Sequence, residues 1–211
     1  MSEQENQTTN KNFFGGFISG FLLLWDFLKI ALIALVIIIP IRYFVFQPFI
    51  VSGSSMEPNF FNGQYLIIDE LSYRFRDPER GQIVVLHPPG HSKEYYIKRI
   101  VGLPGETVKI DNGHVSIVND PDKDGAILEE PYLKNQSLNY PHDPAVVGGK
   151  KTLTLGSDEY FMMGDNRLAS SDSRDWGPLT RNEMVGKVII RLFPIRQLDL
   201  FTKTPSYGFS K

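Results

Sequence analysis

The sequence predicts a mainly β protein, an antiparallel sheet or barrel-like domain that is tethered by one N-terminal transmembrane helix. One observation behind this prediction is the asymmetry of the chain, because its long apolar runs are confined to the first 50 residues. The second is the change, after Pro48, to short strand-like apolar bursts that are separated by turn residues. These patterns indicate little helix outside the membrane segment.

The apolar segment near the N-terminus has nearly the composition of a membrane span. Within residues 13–41 only Asp26 and Lys29 are charged. A spanning helix needs ~20 residues, so the 12 uncharged residues at 30–41 have to be extended on one side. Asp26 and Lys29 stand three positions apart on one helix face, where their charges can pair. We therefore expect an uncleaved transmembrane anchor within residues 13–46.

Two other interpretations of this segment stay open, a cleaved secretory signal and a buried core helix. A cleaved signal needs a small-x-small site soon after the apolar run, whereas residues 40–48 are mostly bulky. The numbers of Lys and Arg hardly differ between the two flanks, so charge alone does not orient the helix. Residues 1–12, which are rich in Glu, Gln, Asn and Thr, are expected to form a disordered tail.

Residues 47–200 are predicted to form the β-rich domain. Its candidate strands cover residues 65–69, 82–86, 94–103, 107–110, 114–118, 152–155, 160–163 and 185–192. The dipeptide Asn112-Gly113, between two of these strands, is a strong hairpin signal. The stretch at about 119–151, rich in Pro, Gly, Asp and Asn, is expected to be a small inserted cap rather than a second core. Residues 201–211 are expected to be a C-terminal tail.

The composition excludes several classes of function. The 211 residues suffice for one domain with an appendage. With 22 Lys and Arg against 24 Asp and Glu, the net charge of −2 removes the electrostatic case for a nucleic-acid partner. Because the chain has no Cys, disulfides, Cys-ligated metals and Cys nucleophiles are excluded. We expect no metal and no cofactor, and a nucleophile has to be Ser, Thr, Lys or a carboxylate.

A serine cluster and one lysine are the candidates for chemistry. The cluster lies in the Gly-containing bend at residues 51–58, just after the anchor. None of the four His residues stands with an acidic residue in a recognisable pattern that would orient it as a base. Lys98 alternates with Tyr96 and Ile100 on one face of a predicted strand, and burial there would lower its pKa enough for it to act as a base. From periodicity alone, a surface lysine is an equally good interpretation.

Three segments resemble motifs of the bacterial type I signal peptidases, the membrane-bound Ser/Lys leader peptidase family. Residues 53–58, GSSMEP, are similar to the motif that carries the nucleophile. Residues 96–106, YIKRIVGLPGE, are similar to the segment that carries the general base. Residues 163–177, MGDNRLASSDSRDWG, resemble the third motif. The resemblance runs from the anchor to about Pro194, with the motifs in the order that the family has.

The resemblance implies roles for the residues at matching positions. Ser55 is the expected nucleophile and Lys98 the expected general base, while Ser170 is expected to hydrogen-bond the lysine amine and orient it. The scaffold ion pairs implied by the resemblance join Arg99 with Asp165 and Asp172 with Arg174.

The chain departs from the family pattern two residues before the nucleophile. Some members have a Ser there whose hydroxyl helps to bind the oxyanion, whereas this chain has Gly53. The oxyanion site is then expected to use backbone N–H groups, including that of Ser55, with the Ser54 hydroxyl as a further candidate donor.

The activity implied by the resemblance is that of a membrane-bound serine endopeptidase that removes signal peptides from secreted preproteins through an acyl-enzyme. The implied substrates have small residues at the first and third positions before the cut, and the implied partners are the lipid bilayer and the protein-export machinery. The implied location is the cytoplasmic membrane, crossed once, with the tail inside and the catalytic domain on the extracytoplasmic face. The alternatives are a self-cleaving Ser/Lys protease and a non-catalytic, membrane-tethered β binding module.

Overall fold

A computed structural model describes residues 22–39, 46–111, 113–118, 125–133, 151–201 and 208–210. The chain divides into two compact units, Met1–Val45 and Phe46–Lys211. The predicted tail at residues 1–12, the outer parts of the predicted anchor and most of the predicted cap lie outside the described residues.

In the first unit, residues Leu22–Ile39 form helix α1. Among the described residues, α1 is the one helix that is long and apolar enough to cross a membrane. The charged groups of Asp26 and Lys29 lie 2.7 Å apart across nearly one helical turn. Their pairing reduces the cost of placing these two charges within an apolar segment.

The second unit is built almost entirely from antiparallel strands. In chain order these are β1 Phe46–Ile50, β2 Tyr65–Asp69, β3 Ile83–Leu86, β4 Tyr96–Gly102, β5 Thr107–Asp111, β6 His114–Val118, β7 Ala126–Leu128, β8 Lys151–Thr154, β9 Glu159–Met163, β10 Leu179–Thr180, β11 Met184–Phe193, β12 Asp199–Leu200 and β13 Phe209–Ser210. Its described helices are short: α2 Ser173–Trp176, and the 3-10 turns Ser72–Arg74, Pro131–Leu133, Arg181–Glu183 and Ile195–Gln197. The predicted mainly β, antiparallel fold with one N-terminal apolar helix is confirmed.

The strands form two sheets. The larger has the order β1-β2-β11-β3-β4-β9-β10, with β12 paired to β11, and the smaller has the order β13-β7-β6-β5-β8. Successive residues of β3 enter different apolar clusters, with Ile83 and Val85 in one and Val84 and Leu86 in another. Because side chains alternate across a strand, the large sheet is covered on both faces. The neighbouring strand β4 is therefore also buried on both sides.

The smaller sheet packs on an apolar cluster to which strands β4 and β9 of the larger sheet also contribute. Val108, Ile110, Val115 and Ile117 alternate inward along β5 and β6, and Leu128 joins them from within the predicted cap. The inserted stretch thus contributes strand β7 to a second packed sheet. The β5–β6 hairpin turns as the Asn112-Gly113 signal predicts, since Asp111 pairs with His114.

The predicted C-terminal tail also contains regular structure. Phe201 packs against the cluster beneath β1 and β2, and β13 pairs with β7 of the smaller sheet. Both contacts join residues that are far apart in the chain, so no local sequence pattern signals them.

Candidate active site

The Ser55 turn is held by backbone hydrogen bonds and by a buried anchor. Gly53 adopts a φ of +92°, which L side chains rarely adopt, and lets the chain bend directly before the serines. Met56, which directly follows Ser55, is 1% exposed and packs in the core. From the opposite side, the Asn166 N–H donates to the Ser55 carbonyl at 3.0 Å and the Asn166 side chain donates to the Ser54 carbonyl at 3.1 Å.

Lys98 meets Ser55 at the centre of the site. The lysine Nζ lies 2.8 Å from Ser55 Oγ, and Lys98 is only 3% exposed. Burial lowers the pKa of Lys98 to about 8, from an ordinary value of 10.5. The Asp172 and Asp165 carboxylates oppose this shift, whereas Arg174 adds to it. A substantial fraction of the amine is therefore neutral near pH 8 and can accept a proton.

The ring of Tyr96 lies on the same face of β4 as the amine. Lys98 Nζ is 5.3 Å from the ring centroid, a distance at which the ring face attracts a cation. The ring adds apolar surface beside the amine and still accommodates its protonated form.

Ser170 lies beside Ser55, with its hydroxyl buried. Within the described residues that hydroxyl makes no hydrogen bond of standard geometry, to Lys98 or to any other group. A side chain on Gly164 would overlap both Ser170 Oγ and the Ser55 carbonyl oxygen. Only glycine fits at position 164, because it packs directly against both serines.

Asp172 and Arg174 form a buried ion pair at the end of the loop that carries Ser170. Arg174 donates from Nε at 2.8 Å and from a terminal nitrogen at 2.9 Å to the two oxygens of Asp172. Burial alone would raise the pKa of the Asp172 carboxyl. The Arg174 guanidinium, the Gly164 N–H and the nearby Ser170 hydroxyl outweigh that effect and hold its pKa below the ordinary value. Asp172 also caps α2 by accepting from the Arg174 N–H.

Arg99 and Asp165 form the second predicted pair, on the opposite face of β4 from Lys98. Arg99 donates to both carboxylate oxygens, at 2.8 and 2.6 Å, and to the Gly81 carbonyl at 2.9 Å. Asp165 also accepts from the Asn59 side chain at 2.8 Å. The four predicted scaffold residues thus lie in two bidentate pairs that flank the Ser55–Lys98 contact.

Sequence reasoning missed a third buried pair, Arg167 with Glu130. Both terminal guanidinium nitrogens of Arg167 donate to the Glu130 carboxylate, and the Tyr132 hydroxyl donates to the same carboxylate at 2.6 Å. Arg167 lies within the third motif, so its position there was an available signal. Glu130 offered none, because 37 residues separate the two partners.

A cleft of about 450 Å³ opens onto Ser55 and Lys98. Its walls are largely apolar and include Phe49, Ile50, Leu66, Val85, Tyr95, Tyr96, Ile97 and Ala169. A second cavity of about 340 Å³ lies on the Arg99 face and does not include Ser55. In the part of the chain that the structure describes, no cluster of three or more His, Asp or Glu side chains is arranged to hold a metal ion.

Because position 53 is a glycine, it has no side-chain hydrogen-bond donor to offer beside the nucleophile candidate Ser55. Its own N–H donates to the Asn62 side-chain oxygen at 3.0 Å, so that group is already used. Ser54 is exposed, directly before Ser55.

Comparisons with known proteins agree on one family. The family described as "Signal peptidase, peptidase S26" matches residues 24–193. The "Probable signal peptidase I-2" of Synechocystis is 36% identical over 179 residues, which cover 82% of this chain and 75% of that protein. "Signal peptidase I P" of Bacillus subtilis subsp. natto is 35% identical over 175 residues, which cover 82% of this chain and 91% of that protein.

Among solved structures, the crystal structure of a signal peptidase I from Enterococcus faecalis matches with a TM-score of 0.44 and 29% sequence identity. The match covers 53% of this chain and 97% of the Enterococcus faecalis chain.

Proposed function

Because the chain belongs to the peptidase S26 family of signal peptidases, we propose that Ser55 is its nucleophile and Lys98 its general base. Membership makes the chain a membrane-anchored serine endopeptidase that removes signal peptides from preproteins. The observation that carries the dyad is the 2.8 Å contact between Lys98 Nζ and Ser55 Oγ. The burial that depresses the pKa of Lys98 to about 8 makes this contact chemically useful.

In the proposed reaction, neutral Lys98 takes the proton of the Ser55 hydroxyl while Oγ attacks the carbonyl carbon of the scissile peptide. The tetrahedral intermediate collapses, the C–N bond breaks, and protonated Lys98 gives its proton to the leaving amine. Lys98, neutral again, then removes a proton from a water molecule that attacks the acyl-enzyme ester. The Ser55–carbonyl bond breaks, and the proton on Lys98 returns to Oγ.

The oxyanion of this reaction is proposed to bind the backbone N–H of Ser55. The Gly53 N–H is held by Asn62, so it contributes to the shape of the turn rather than to the oxyanion. The exposed Ser54 hydroxyl is the proposed second donor, where some members of the family are expected to use a Ser in place of Gly53.

The substrate is proposed to bind as an added strand beside β4. Strand β4 pairs with β3 from Tyr96 to Arg99. It pairs with β9 only from Arg99 onward. Within the described residues, the start of β4 therefore leaves one edge open where the cleft reaches Lys98. The bulky apolar walls of the cleft favour small side chains at the first and third positions before the cut.

The neighbouring polar groups are proposed to hold this geometry. Ser170 is assigned the orientation of the Lys98 amine, after a side-chain rotation toward it. The Arg99–Asp165 and Asp172–Arg174 pairs are assigned a scaffold role, because each carboxylate accepts two hydrogen bonds from its arginine side chain.

The proposed location is the cytoplasmic membrane, crossed once by α1, with the catalytic unit on the extracytoplasmic face. Lipid and the protein-export machinery are the proposed partners there, because preproteins emerge from that machinery with their signal peptides still in the bilayer. Protease added to intact spheroplasts should then digest the catalytic unit, and deletion of residues 1–42 should release active enzyme from the membrane. Protection of the catalytic unit in intact spheroplasts would contradict the orientation.

The dyad is tested by cleavage of a purified preprotein in detergent. Ser55→Ala and Lys98→Ala should each lose activity by about 10²–10⁴-fold or more. The matched control for the lysine is Lys93→Ala, since Lys93 is exposed. Lys93→Ala should behave like wild type, whereas Ser54→Ala, which removes the proposed second oxyanion donor, should lose about 10²–10³-fold.

The pH dependence gives a second test of the base. Because Lys98 acts in its neutral form, kcat/KM should fall on the acidic side with an apparent pKa of about 8. Wild-type turnover by either dyad variant would overturn the assignment, and so would an acidic limb that falls near 6, as histidine would give.

A further inference from the structure

The Glu130–Arg167 pair is the most deeply buried ion pair that the proposed reaction leaves unused. The guanidinium of Arg167 is 1% exposed and the carboxylate of Glu130 is 9% exposed. Glu130 directly precedes the 3-10 turn Pro131–Leu133, next to strand β7 of the smaller sheet. Arg167 belongs to the loop that follows β9 of the larger sheet. The pair therefore ties the two sheets together beside the site.

Stability alone is a poor explanation for such a pair. Removing two charges from water costs free energy that their attraction only partly recovers, and apolar residues of similar volume often do as well or better. What a bidentate pair supplies is direction, because the guanidinium plane is fixed by two parallel hydrogen bonds. The guanidinium of Arg167, fixed in this way, holds one further group.

That group is the backbone of Gly164. Arg167 donates from Nε to the Gly164 carbonyl at 3.1 Å, while the Gly164 N–H donates to the Asp172 carboxylate at 3.0 Å. Both polar groups of this residue are thus held by buried ionic side chains. The α-carbon of Gly164 packs against Ser170 Oγ and the Ser55 carbonyl, so a shift of Gly164 displaces both serines.

Tyr132 extends the same arrangement to the lysine strand. Its hydroxyl donates to Glu130 at 2.6 Å, and its ring lies 4.0 Å below the Arg99 guanidinium. Its carbonyl accepts from Asn59, whose side chain also reaches Asp165. The segment Glu130–Tyr132 therefore contacts Arg167, which holds Gly164, and also Arg99, the residue next to Lys98.

We propose that residues 130–132 act as a strap from the smaller sheet that positions Ser55 against Lys98, with Glu130 and Tyr132 as positioning residues for the cleavage reaction. Glu130 acts through Arg167 on Gly164, and Tyr132 acts through Arg99 on β4. The inference rests on the Ser55–Lys98 assignment and extends it to a part of the molecule that touches neither reacting atom.

The test compares two isosteric variants of adjacent glutamates in the full-length enzyme. Glu130→Gln removes one charge and one of the paired acceptors, whereas Glu129→Gln makes the same change at an exposed side chain. For Glu130→Gln we expect kcat to fall by about 10- to 100-fold with KM within about twofold, because small misplacements of reacting groups are costly. Glu129→Gln should match wild type. Rates are divided by the folded fraction from denaturant unfolding curves.

Two substitutions of Tyr132 separate its two contacts. Tyr132→Phe removes the hydroxyl that binds Glu130 and keeps the ring beneath Arg99, so kcat should fall by about threefold. Tyr132→Leu removes both contacts and should lower kcat by about tenfold or more. In all these variants the acidic limb should stay near its wild-type pH, because the strap sets distance and leaves Lys98 buried.

The outcomes separate the strap from the dyad. If Ser55→Ala kept activity, the proposed function would fail whatever Glu130→Gln did. If Ser55→Ala were inactive while folded Glu130→Gln kept kcat within about twofold of wild type, the strap alone would be wrong. An activity loss that merely followed the folded fraction would also overturn it, since it would reduce Glu130 to a stabilising residue.

Discussion

Lys98 and Arg99 are adjacent residues on β4 with opposite surroundings. The Lys98 amine faces the cleft, contacts the Ser55 hydroxyl, and has its pKa lowered by burial. The Arg99 guanidinium faces the other side, where Asp165, the Gly81 carbonyl and the Tyr132 ring surround it. Both residues are 3% exposed. Equal burial thus accompanies two different electrostatic states.

The difference shows how one strand can present a proposed catalytic base on one face and a structural ion pair on the other. A buried cation with a carboxylate beside it keeps its charge, whereas a buried amine without a contacting carboxylate tends to lose its proton. In its proposed role the amine acts as a base because its ionic neighbours bond to one another, and the two bidentate pairs hold its surroundings in place. Substitutions on the two faces of β4 should therefore damage the enzyme in different ways.

The largest effect is expected from Lys98→Arg. A guanidinium stays protonated at every working pH, so it cannot accept the Ser55 proton. Activity should fall by about 10²–10⁴-fold, the usual contribution of a general base. Preprotein cleavage from pH 7 to 10 measures this, and alkaline pH should give no recovery. Activity that rose with pH in Lys98→Arg would identify another base.

Asp165→Asn should instead act on stability. It leaves the Arg99 guanidinium buried without its carboxylate, which typically costs about 3–5 kcal/mol. Chemical denaturation should show a lower free energy of unfolding, and the remaining folded enzyme should keep the acidic limb near pH 8. As the matched exposed control, Asp199→Asn, whose partner Arg191 also bonds the Gln197 and Asn59 carbonyls, should cost less than about 1 kcal/mol.

The comparison also shows what could be predicted from the sequence. The family resemblance is confirmed, and the residues assigned from it as a dyad lie in contact in the structure. The alternation of Lys98 with Tyr96 and Ile100 left surface and buried positions equally open. Only the covering of both faces of the large sheet, a product of long-range pairing, distinguishes them.

The smaller sheet is where the predictions from sequence fell short. Strand ranges such as 65–69 and 114–118 follow from local apolar patterns and turn residues. The contribution of Leu128 to the cluster that the two sheets share, the β7–β13 pairing and the Glu130–Arg167 contact join residues far apart in the chain. Each of these depends on the packing of several strands, so a single sequence carries no local sign of it.

Lys98→Met should raise stability while abolishing activity. The pKa of Lys98 is about 8 in the folded chain and 10.5 when unperturbed. Below pH 8 the folded protein holds a buried ammonium, so the full cost of burying charge is present there. That cost shrinks as the pH rises from 8 to 10.5, where the unfolded chain also loses its proton.

Unfolding curves at a series of pH values measure this effect. Lys98→Met should be more stable than wild type by about 1–3 kcal/mol below pH 8, after allowing for the lost hydrogen bond to Ser55. The gain should disappear toward pH 10.5. A gain that did not depend on pH would mean that methionine packs better and that the amine is not buried as an ammonium.

The smallest effect is expected from Ser170→Ala. The buried hydroxyl has no hydrogen bond of standard geometry within the described residues and lies next to Gly164. In its proposed role it rotates to accept from the Lys98 amine and binds the ammonium more strongly than the neutral form. Its loss should therefore lower kcat by about two- to tenfold and move the acidic limb to lower pH. This hydroxyl also helps to lower the pKa of the nearby Asp172 carboxyl. Ser173→Ala is therefore the control for general loosening of the loop, because it removes the hydroxyl that is bonded to the Met162 N–H. A limb that moved equally in both variants would assign the shift to the loop, and an unchanged limb and rate in Ser170→Ala would remove Ser170 from the site.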